Sequence, residues 1–203
     1  MSAENTIVYQ GEPGANSQIA CQEVYPGMTP RACATFEEAF AAISDGEARL
    51  GMIPIENSLA GRVADIHHLM PESGLYIIGE HFLRIRFALM APKGAKLENI
   101  KTAQSHVMAL GQCRKTMNSL GILGQVAADT AGSAREVAEL GDVTHAALAT
   151  PEAADIYGLD ILKTDMEDAD HNTTRFVIMA AEPDDATPEE EPVITSFIFR
   201  VRN

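Results

Sequence analysis

Midway along the chain, Leu75–Met90 is a long run of β-forming residues, interrupted at Arg84 and Arg86 and followed by Pro92. Strands in globular proteins usually run about five or six residues, so a strand of this reach has to serve more than one lobe. On both sides, short apolar or β-branched runs alternate with helical patterns, the signature of βα units around mostly parallel sheets. Before it, Thr6–Tyr9, Arg31–Ala34 and Leu50–Ile55 read as strands. Helices are expected from about Ser17, from Thr35 through Ile43 with Thr35 and Glu38 as a capping box, and near Arg62–Leu69. After it, strands Lys101–Ala103, Gly124–Ala127 and Ala146–Ala149 alternate with helices His106–Ser119 and Ser133–Leu140. Thr150-Pro151-Glu152 then gives a cap residue, a first-turn proline and a first-turn acid, the order of a helix start. Asp165–Thr173 is polar and irregular, and Arg175–Ala181 returns as an apolar strand. The expected fold is α/β, two α/β lobes with a cleft between them, lobe 1 at about 1–80 plus 172–181 and lobe 2 at about 81–171. Ligands of such folds settle where strand C-termini and helix N-termini meet.

With 46% apolar and 22% charged residues in 203, the chain can bury a full core, and no apolar run approaches the roughly 20 residues of a membrane-spanning helix. Met1-Ser2-Ala3-Glu4-Asn5 has neither the basic nor the apolar region of a secretory signal, which predicts a cytoplasmic protein or one already processed. A net charge of −14 argues against nucleic acid and anionic membrane as partners, since both want a cationic face. Any anionic substrate then has to be held by local cations or helix N-termini. Part of the charge is local: Glu182, Asp184, Asp185, Glu189, Glu190 and Glu191 make 182–192 an acidic, proline-containing linker. Beyond it, 193–203 has strand character and reads as the first strand of a further domain or as an edge strand. Cys21, Cys33 and Cys113 have no disulfide or zinc spacing and are expected as reduced thiols.

Several short motifs stand out, each with an ordinary alternative. The loop Gly11–Ser17 between a strand and a helix offers backbone N–H groups to an anion, but such turns often only reverse the chain. In Pro54-Ile55-Glu56-Asn57-Ser58, polar residues follow an apolar strand directly; Asn57 or Ser58 suits a helix cap, a role that does not require Glu56. Ser105 is the expected N-cap of the helix beginning His106-Val107-Met108-Ala109-Leu110-Gly111-Gln112-Cys113. His106 there reads as an ordinary surface or cap residue, and Cys113 as a small buried hydrophobe. Asp129-Thr130-Ala131 reads as another cap. Asp165, Glu167, Asp168, Asp170 and His171 lack the ligand positions of a calcium loop and read as a solvated acidic loop. Asn172-Thr173-Thr174-Arg175-Phe176 sets hydroxyls and a guanidinium where a loop becomes a strand. On these features alone the chain is a two-lobed α/β protein that binds a small polar ligand.

The ordered set Gly11-Glu12-Pro13-Gly14, Pro54-Ile55-Glu56-Asn57-Ser58, Ser105-His106 with Gln112-Cys113, Asp129-Thr130-Ala131 and Asn172-x-Thr174-Arg175-Phe176 resembles the prephenate dehydratase family over about residues 7–181. The resemblance implies a periplasmic-binding-protein-like pair of lobes with the active site in the cleft. It also implies an enzyme of phenylalanine biosynthesis that converts prephenate to phenylpyruvate, water and carbon dioxide with no cofactor and no metal. Thr174 maps onto the family's catalytic threonine. Glu56, Asn57, Ser58, Ser105 and Gln112 map onto its cleft residues, with Ser17 and Thr130 as further substrate-binding positions. The glycine loop departs from the family pattern: Ala15-Asn16-Ser17 replaces a hydroxyl, an aromatic and a hydroxyl, so Ser17 alone keeps the register. The family continues into an ACT domain that binds phenylalanine as effector, and Ile194–Phe199 resembles its first strand. Phenylalanine is thus expected to act only on a full-length protein, and a homo-oligomer is expected.

Loss of carbon dioxide supplies the electron pair that expels the ring hydroxyl of prephenate, and aromatisation drives the reaction. Thr174 suits a hydrogen bond to the departing oxygen, but a hydroxyl needs a relay to replace a lost proton at neutral pH. Glu56 is a candidate source if burial raises its pKa, or else an ionised orienting group. Arg175 and helix-start N–H groups are candidates for the substrate carboxylates. Two alternatives stand beside this reading: an arogenate dehydratase, and a protein that only captures a small acid.

Overall fold

The computed structural model describes residues 2–185 and Thr195. Apart from Thr195, the expected ACT strand at 193–203 lies outside these residues, as does most of the linker; the described part of the linker, 182–185, is exposed. Lobe 1 contains β1 (Thr6–Gln10), α1 (Asn16–Val24), β2 (Thr29–Cys33), α2 (Phe36–Ser44), β3 (Leu50–Asn57), β4 (Gly61–Arg62), α3 (Ile66–Ser73) and β5 (Tyr76–Arg84). Lobe 2 contains β6 (Ala88–Ala91), β7 (Thr102–His106), α4 (Val107–Gln112), α5 (Arg114–Ser119), β8 (Leu123–Ala127), α6 (Thr130–Leu140), β9 (His145–Ala149), α7 (Pro151–Tyr157) and β10 (Asp160–Lys163). The chain then returns to lobe 1 as β11 (Thr173–Ala180).

Both sheets are mixed. The first runs β2-β1-β3-β11-β5 with β4 on β3, and the second runs β10-β6-β9-β7-β8. In the first, β1 is parallel to β2 and β3, whereas β11 is antiparallel to both neighbours. In the second, β7 is parallel to β8 and β9, and β6 is antiparallel to β9 and β10. The long run Leu75–Met90 is two strands, β5 in one sheet and β6 in the other, and the residues between them cross from lobe to lobe. The return crossing lies beside it: Ile85 N–H donates to Asn172 O at 2.8 Å, Met166 N–H donates to Phe87 O at 3.0 Å, and Phe87 N–H donates to Glu167 Oε2 at 2.9 Å.

Period-two alternation sorts the first sheet into two faces. Val8, Ile53, Val177 and Met179 pack under α2 and α3, while Ile7, Met52, Phe176 and Ile178 join a core that continues into lobe 2 through Leu89, Ala109 and Cys113. The three cysteines are buried, and desolvation pushes the Cys21 thiol up to about 12, so these thiols stay protonated. Among the described residues no helix is long and apolar enough to cross a membrane.

Beyond the division of Leu75–Met90 and the mixing of sheets expected to be mostly parallel, the structure departs from the sequence reading in four further places. The helix expected near Arg62–Leu69 starts at Ile66, because Gly61 and Arg62 pair with Asn57 and Glu56 as β4. The helix expected over His106–Ser119 breaks at Cys113 (φ −112°, ψ 11°) into α4 and α5. β10 has no counterpart in the reading: Gly158, at φ 70°, ends α7, and Asp160–Lys163 pairs with β6. The acidic loop is structural rather than merely solvated. Asp168 accepts from Lys115 N–H (2.8 Å), Thr116 N–H (2.9 Å) and the Thr116 hydroxyl (3.0 Å) at the start of α5. Burial opposes its ionisation, but these hydrogen bonds outweigh burial and hold its carboxyl below the usual range.

His145 on β9 is buried between Thr102, whose hydroxyl donates to Nδ1, and Gln104, whose Oε1 accepts from Nε2–H at 2.9 Å. The Gln104 amide is turned this way because its Nε2 donates to Glu136 Oε2 at 2.8 Å. Desolvation lowers the His145 pKa, against a smaller opposing pull from Asp142. Once the pH falls below about 6.5, the unfolded chain binds a proton that the native state resists, so this contribution to stability is present above that pH and is lost on acidification. The melting temperature should therefore fall between pH 7 and 5, and His145→Gln should flatten that part of the profile in a thermal-melt series.

Candidate active site

The site grows from the β3–β11 ladder. Thr174 pairs with Asn57 and Arg175 with Glu56, and the register then slips so that Phe176 pairs with Pro54 and Ile55 is the extra residue. The bulge turns Pro54 and Asn57 to the same side as Thr174 and Phe176, and all four line a cleft of about 310 Å³ between the lobes. From lobe 1 the start of α1 adds Asn16 and Ser17. From lobe 2 come His106, Met108 and Gln112 of the β7–α4 segment, and Asp129 and Thr130 at the start of α6. Val63, Ile85, Phe87 and Phe176 form its apolar wall.

A carboxamide network holds the Thr174 hydroxyl. Asn57 Nδ2 donates to Thr174 Oγ1 at 2.9 Å and to Asn172 Oδ1 at 2.8 Å, and Asn172 Nδ2 donates to Gln112 Oε1 at 3.0 Å. Asn57 Oδ1 accepts from the N–H groups of Leu59 (2.9 Å) and Ala60 (2.8 Å), and from Gln112 Nε2 at 3.4 Å. Asn172 is fully buried, so every polar atom it presents needs a partner. As an acceptor from Asn57, Thr174 keeps its own proton for a ligand in the cleft, and the incoming hydrogen bond makes that hydroxyl a better donor.

Of the residues singled out in the sequence, Ser17, Asn57, Gln112, Thr130 and Thr174 come together at the cleft. Four do not. Glu56 and Arg175 alternate with Asn57 and Thr174 on their strands and so point to the opposite face. There Arg175 Nη1 meets Glu56 Oε1 at 3.3 Å, Nη2 lies 2.7 Å from Glu80 Oε2, and the guanidinium sits 5.9 Å from the Phe82 ring centroid. Glu56 is exposed, which removes it as a buried proton source, and the paired Arg175 is not a cleft anchor for a carboxylate. Ser105 is buried at the end of β7 and donates to Leu148 O at 2.6 Å, so it is neither a cap nor a cleft group. Ser58 ties the return crossing down, donating to His171 O at 2.9 Å and accepting from Thr173 N–H at 3.0 Å.

His106, read from the sequence as an ordinary residue, is both the N-cap of α4, accepting at Nδ1 from Met108 N–H (3.3 Å), and part of the cleft wall. Its place at the C-terminal end of β7 is the available signal, since strand C-termini face the cleft. The glycine loop is not an anion cradle. Gly11 N–H is taken by Cys33 O, Gly14 N–H by Gln18 Oε1, and Ala15 N–H by Glu12 O. Among the described residues no Lys or Arg lines the cleft, and no group of three or more His, Cys, Asp or Glu is placed to hold a metal.

Fold and site together define a two-lobed α/β protein with a polarised hydroxyl in its interlobe cleft. The prephenate dehydratase family model matches residues 7–184, and the chain belongs to that family. It is 44% identical over all 203 residues to a Komagataeibacter europaeus protein named bifunctional N-acyl-homoserine lactone acylase/prephenate dehydratase, covering 72% of it. It is 38% identical over 87% of its length to the chloroplastic arogenate dehydratase/prephenate dehydratase 2 of Arabidopsis thaliana, of which it spans 46%. The prephenate dehydratase of Arthrobacter aurescens, solved in complex with L-Phe, superposes with a TM-score of 0.82 at 29% identity, covering 90% or more of this chain (91%) and 62% of that one. The chain therefore spans between about half and three quarters of the relatives it matches.

Removing the buried carboxamide at the hub should be costly. Asn172→Ala leaves Asn57 Nδ2 and Gln112 Oε1 short of a partner, so a loss of about 1–3 kcal/mol is expected in urea unfolding.

Proposed function

We propose that this protein is a prephenate dehydratase, and the observation that carries the reading is the Thr174 hydroxyl, polarised by Asn57 against an apolar wall. In the reaction the bond to the ring carboxylate breaks, its electron pair enters the ring, and the ring C–O bond breaks with its electron pair on the departing oxygen, which takes up one proton from solvent and leaves as water. Thr174 donates a hydrogen bond to that departing oxygen, where charge develops. Val63, Ile85, Phe87 and Phe176 favour loss of carbon dioxide, because a carboxylate poorly stabilised by its surroundings gives up its charge more readily. The absence of Lys and Arg among the described lining residues fits the same logic, since a cation would stabilise the group that has to leave. The carboxylate that stays is matched by neutral donors: Ser17, Thr130, and the N–H groups at the starts of α1 and α6.

The test is release of phenylpyruvate from prephenate by the purified chain, run in parallel with arogenate to separate the two dehydratase activities. Thr174→Val should lower kcat by about 10²-fold or more with KM within a few-fold, as for an interaction formed mainly in the transition state. Glu56→Gln and Arg175→Lys, on the far face of the sheet, should leave kcat within about threefold of the parent.

A second reading, hydrolysis of an N-acyl-homoserine lactone, is favoured by the 44% identity over the full chain to the bifunctional Komagataeibacter protein. It is tested by release of homoserine lactone from such a substrate. If Thr174→Val removes both activities, they share one cleft.

A further inference from the structure

A second polar seam joins the lobes. Thr150, the buried N-cap of α7, accepts from Ala153 N–H at 3.3 Å and donates through the same Oγ1 to Gly14 O of lobe 1 at 2.6 Å. At the far end of α7 the Tyr157 hydroxyl donates to Pro13 O at 2.9 Å. Gly14 has φ +88°, and a Cβ there would stand 3.0 Å from the Cα of Ala153, so loop and helix meet backbone to backbone. On its other side Gly14 is held by Gln18 of α1 at 2.6 Å. The loop is thus gripped at once by lobe 2 and by the helix it leads into. It carries Gly11, Ala15, Asn16 and Ser17 into the cleft wall, whereas Pro13, Gly14, Thr150 and Tyr157 do not line the cleft.

We propose that Thr150, with Tyr157, is a positioning residue. Through Gly14 it fixes where the Asn16–Ser17 wall of lobe 1 stands against Gln112 and Thr130 of lobe 2. The two crossing segments, hydrogen-bonded side by side, allow the lobes to rotate about them as a hinge, and a short buried hydrogen bond to a glycine packed on backbone removes that freedom. Without it the cleft samples wider openings and substrate binds more weakly, while the Asn57–Thr174 hydrogen bond, made between β3 and β11 and backed by the Leu59 and Ala60 N–H groups of lobe 1, persists. The effect therefore falls on KM and not on kcat. The inference rests on reading this cleft as the substrate site.

Three variants and two readouts test it. In the dehydratase assay Thr150→Val should raise KM by about tenfold with kcat within about threefold, and Thr150→Ser, which keeps the hydroxyl, should restore KM to within about twofold. Tyr157→Phe, which leaves the α7 cap intact, should raise KM by about two- to threefold. Amide hydrogen exchange, which needs no turnover, should quicken over residues 11–24 in Thr150→Val and Tyr157→Phe but not in Thr150→Ser. A parental KM with unchanged exchange in Thr150→Val overturns the proposal, as does a serine variant as impaired as the valine one. If Thr150→Val does not fold, Tyr157→Phe decides, and parental KM and exchange there overturn it. A parent chain that does not turn over prephenate sinks the dehydratase reading instead, and the exchange result then judges the seam alone.

Discussion

Much of this molecule hangs on one carboxamide. Asn172 is buried in the segment that returns from the second sheet to the first, and it binds outward in three directions: to Asn57 on β3, to Gln112 on α4, and through its carbonyl to Ile85 in the outgoing crossing. A single residue thereby sets the Thr174 hydroxyl, the spacing of the two crossings and the docking of a lobe 2 helix against lobe 1. A carboxamide suits the place because it carries donors and acceptors on one planar group. A carboxylate would set lone pairs against Gln112 Oε1 in place of a donor, and an apolar side chain would leave two polar atoms, Asn57 Nδ2 and Gln112 Oε1, short of a partner.

The architecture was legible where local chemistry fixes it. The Thr35 cap is realised, Glu38 N–H donating to Thr35 Oγ1, while the returning Glu38 carboxylate takes the N–H of Ala34, one residue before the cap, and Thr150-Pro151-Glu152 starts a helix as expected. Asp129 caps α6 through Gly132 N–H at 2.6 Å. β10 was missed because it is short and at the sheet edge, and owes its existence to the partner strand β6. The break at Cys113 was missed because it is held by Asp168, far off in sequence, and no local pattern could announce it.

The site was legible in its residue types but not in their directions. Thr174 with Arg175, and Glu56 with Asn57, are neighbours on strands, and neighbours on a strand face opposite ways. Each pair can therefore give only one member to a cleft, a limit that the sequence already contained. Which member it gives follows from the antiparallel pairing of Thr174 with Asn57, and the joint exposure of Asn57 and Pro54 to the cleft needs the bulge at Ile55. Neither pairing nor bulge is written in local periodicity. The same geometry leaves no Lys or Arg among the described residues that line the cleft, so its polar lining consists largely of hydroxyls, carboxamides and backbone N–H groups.

The central place of β11 also dictates an order of events during synthesis. Every strand of the second sheet lies within 88–163 and can pair before residue 173 leaves the ribosome, whereas in the first sheet β3 and β5 stay unjoined until the last strand slides between them. The lobe that begins the chain is thus the later one to close, and until it does it presents two open apolar edges to the cell. Thr174 arrives on that closing strand. The polar lining of the cleft and the sealing of the lobe's open edges are completed by the same few residues, so a nascent chain stopped short of them has an unfinished cleft and a sticky sheet.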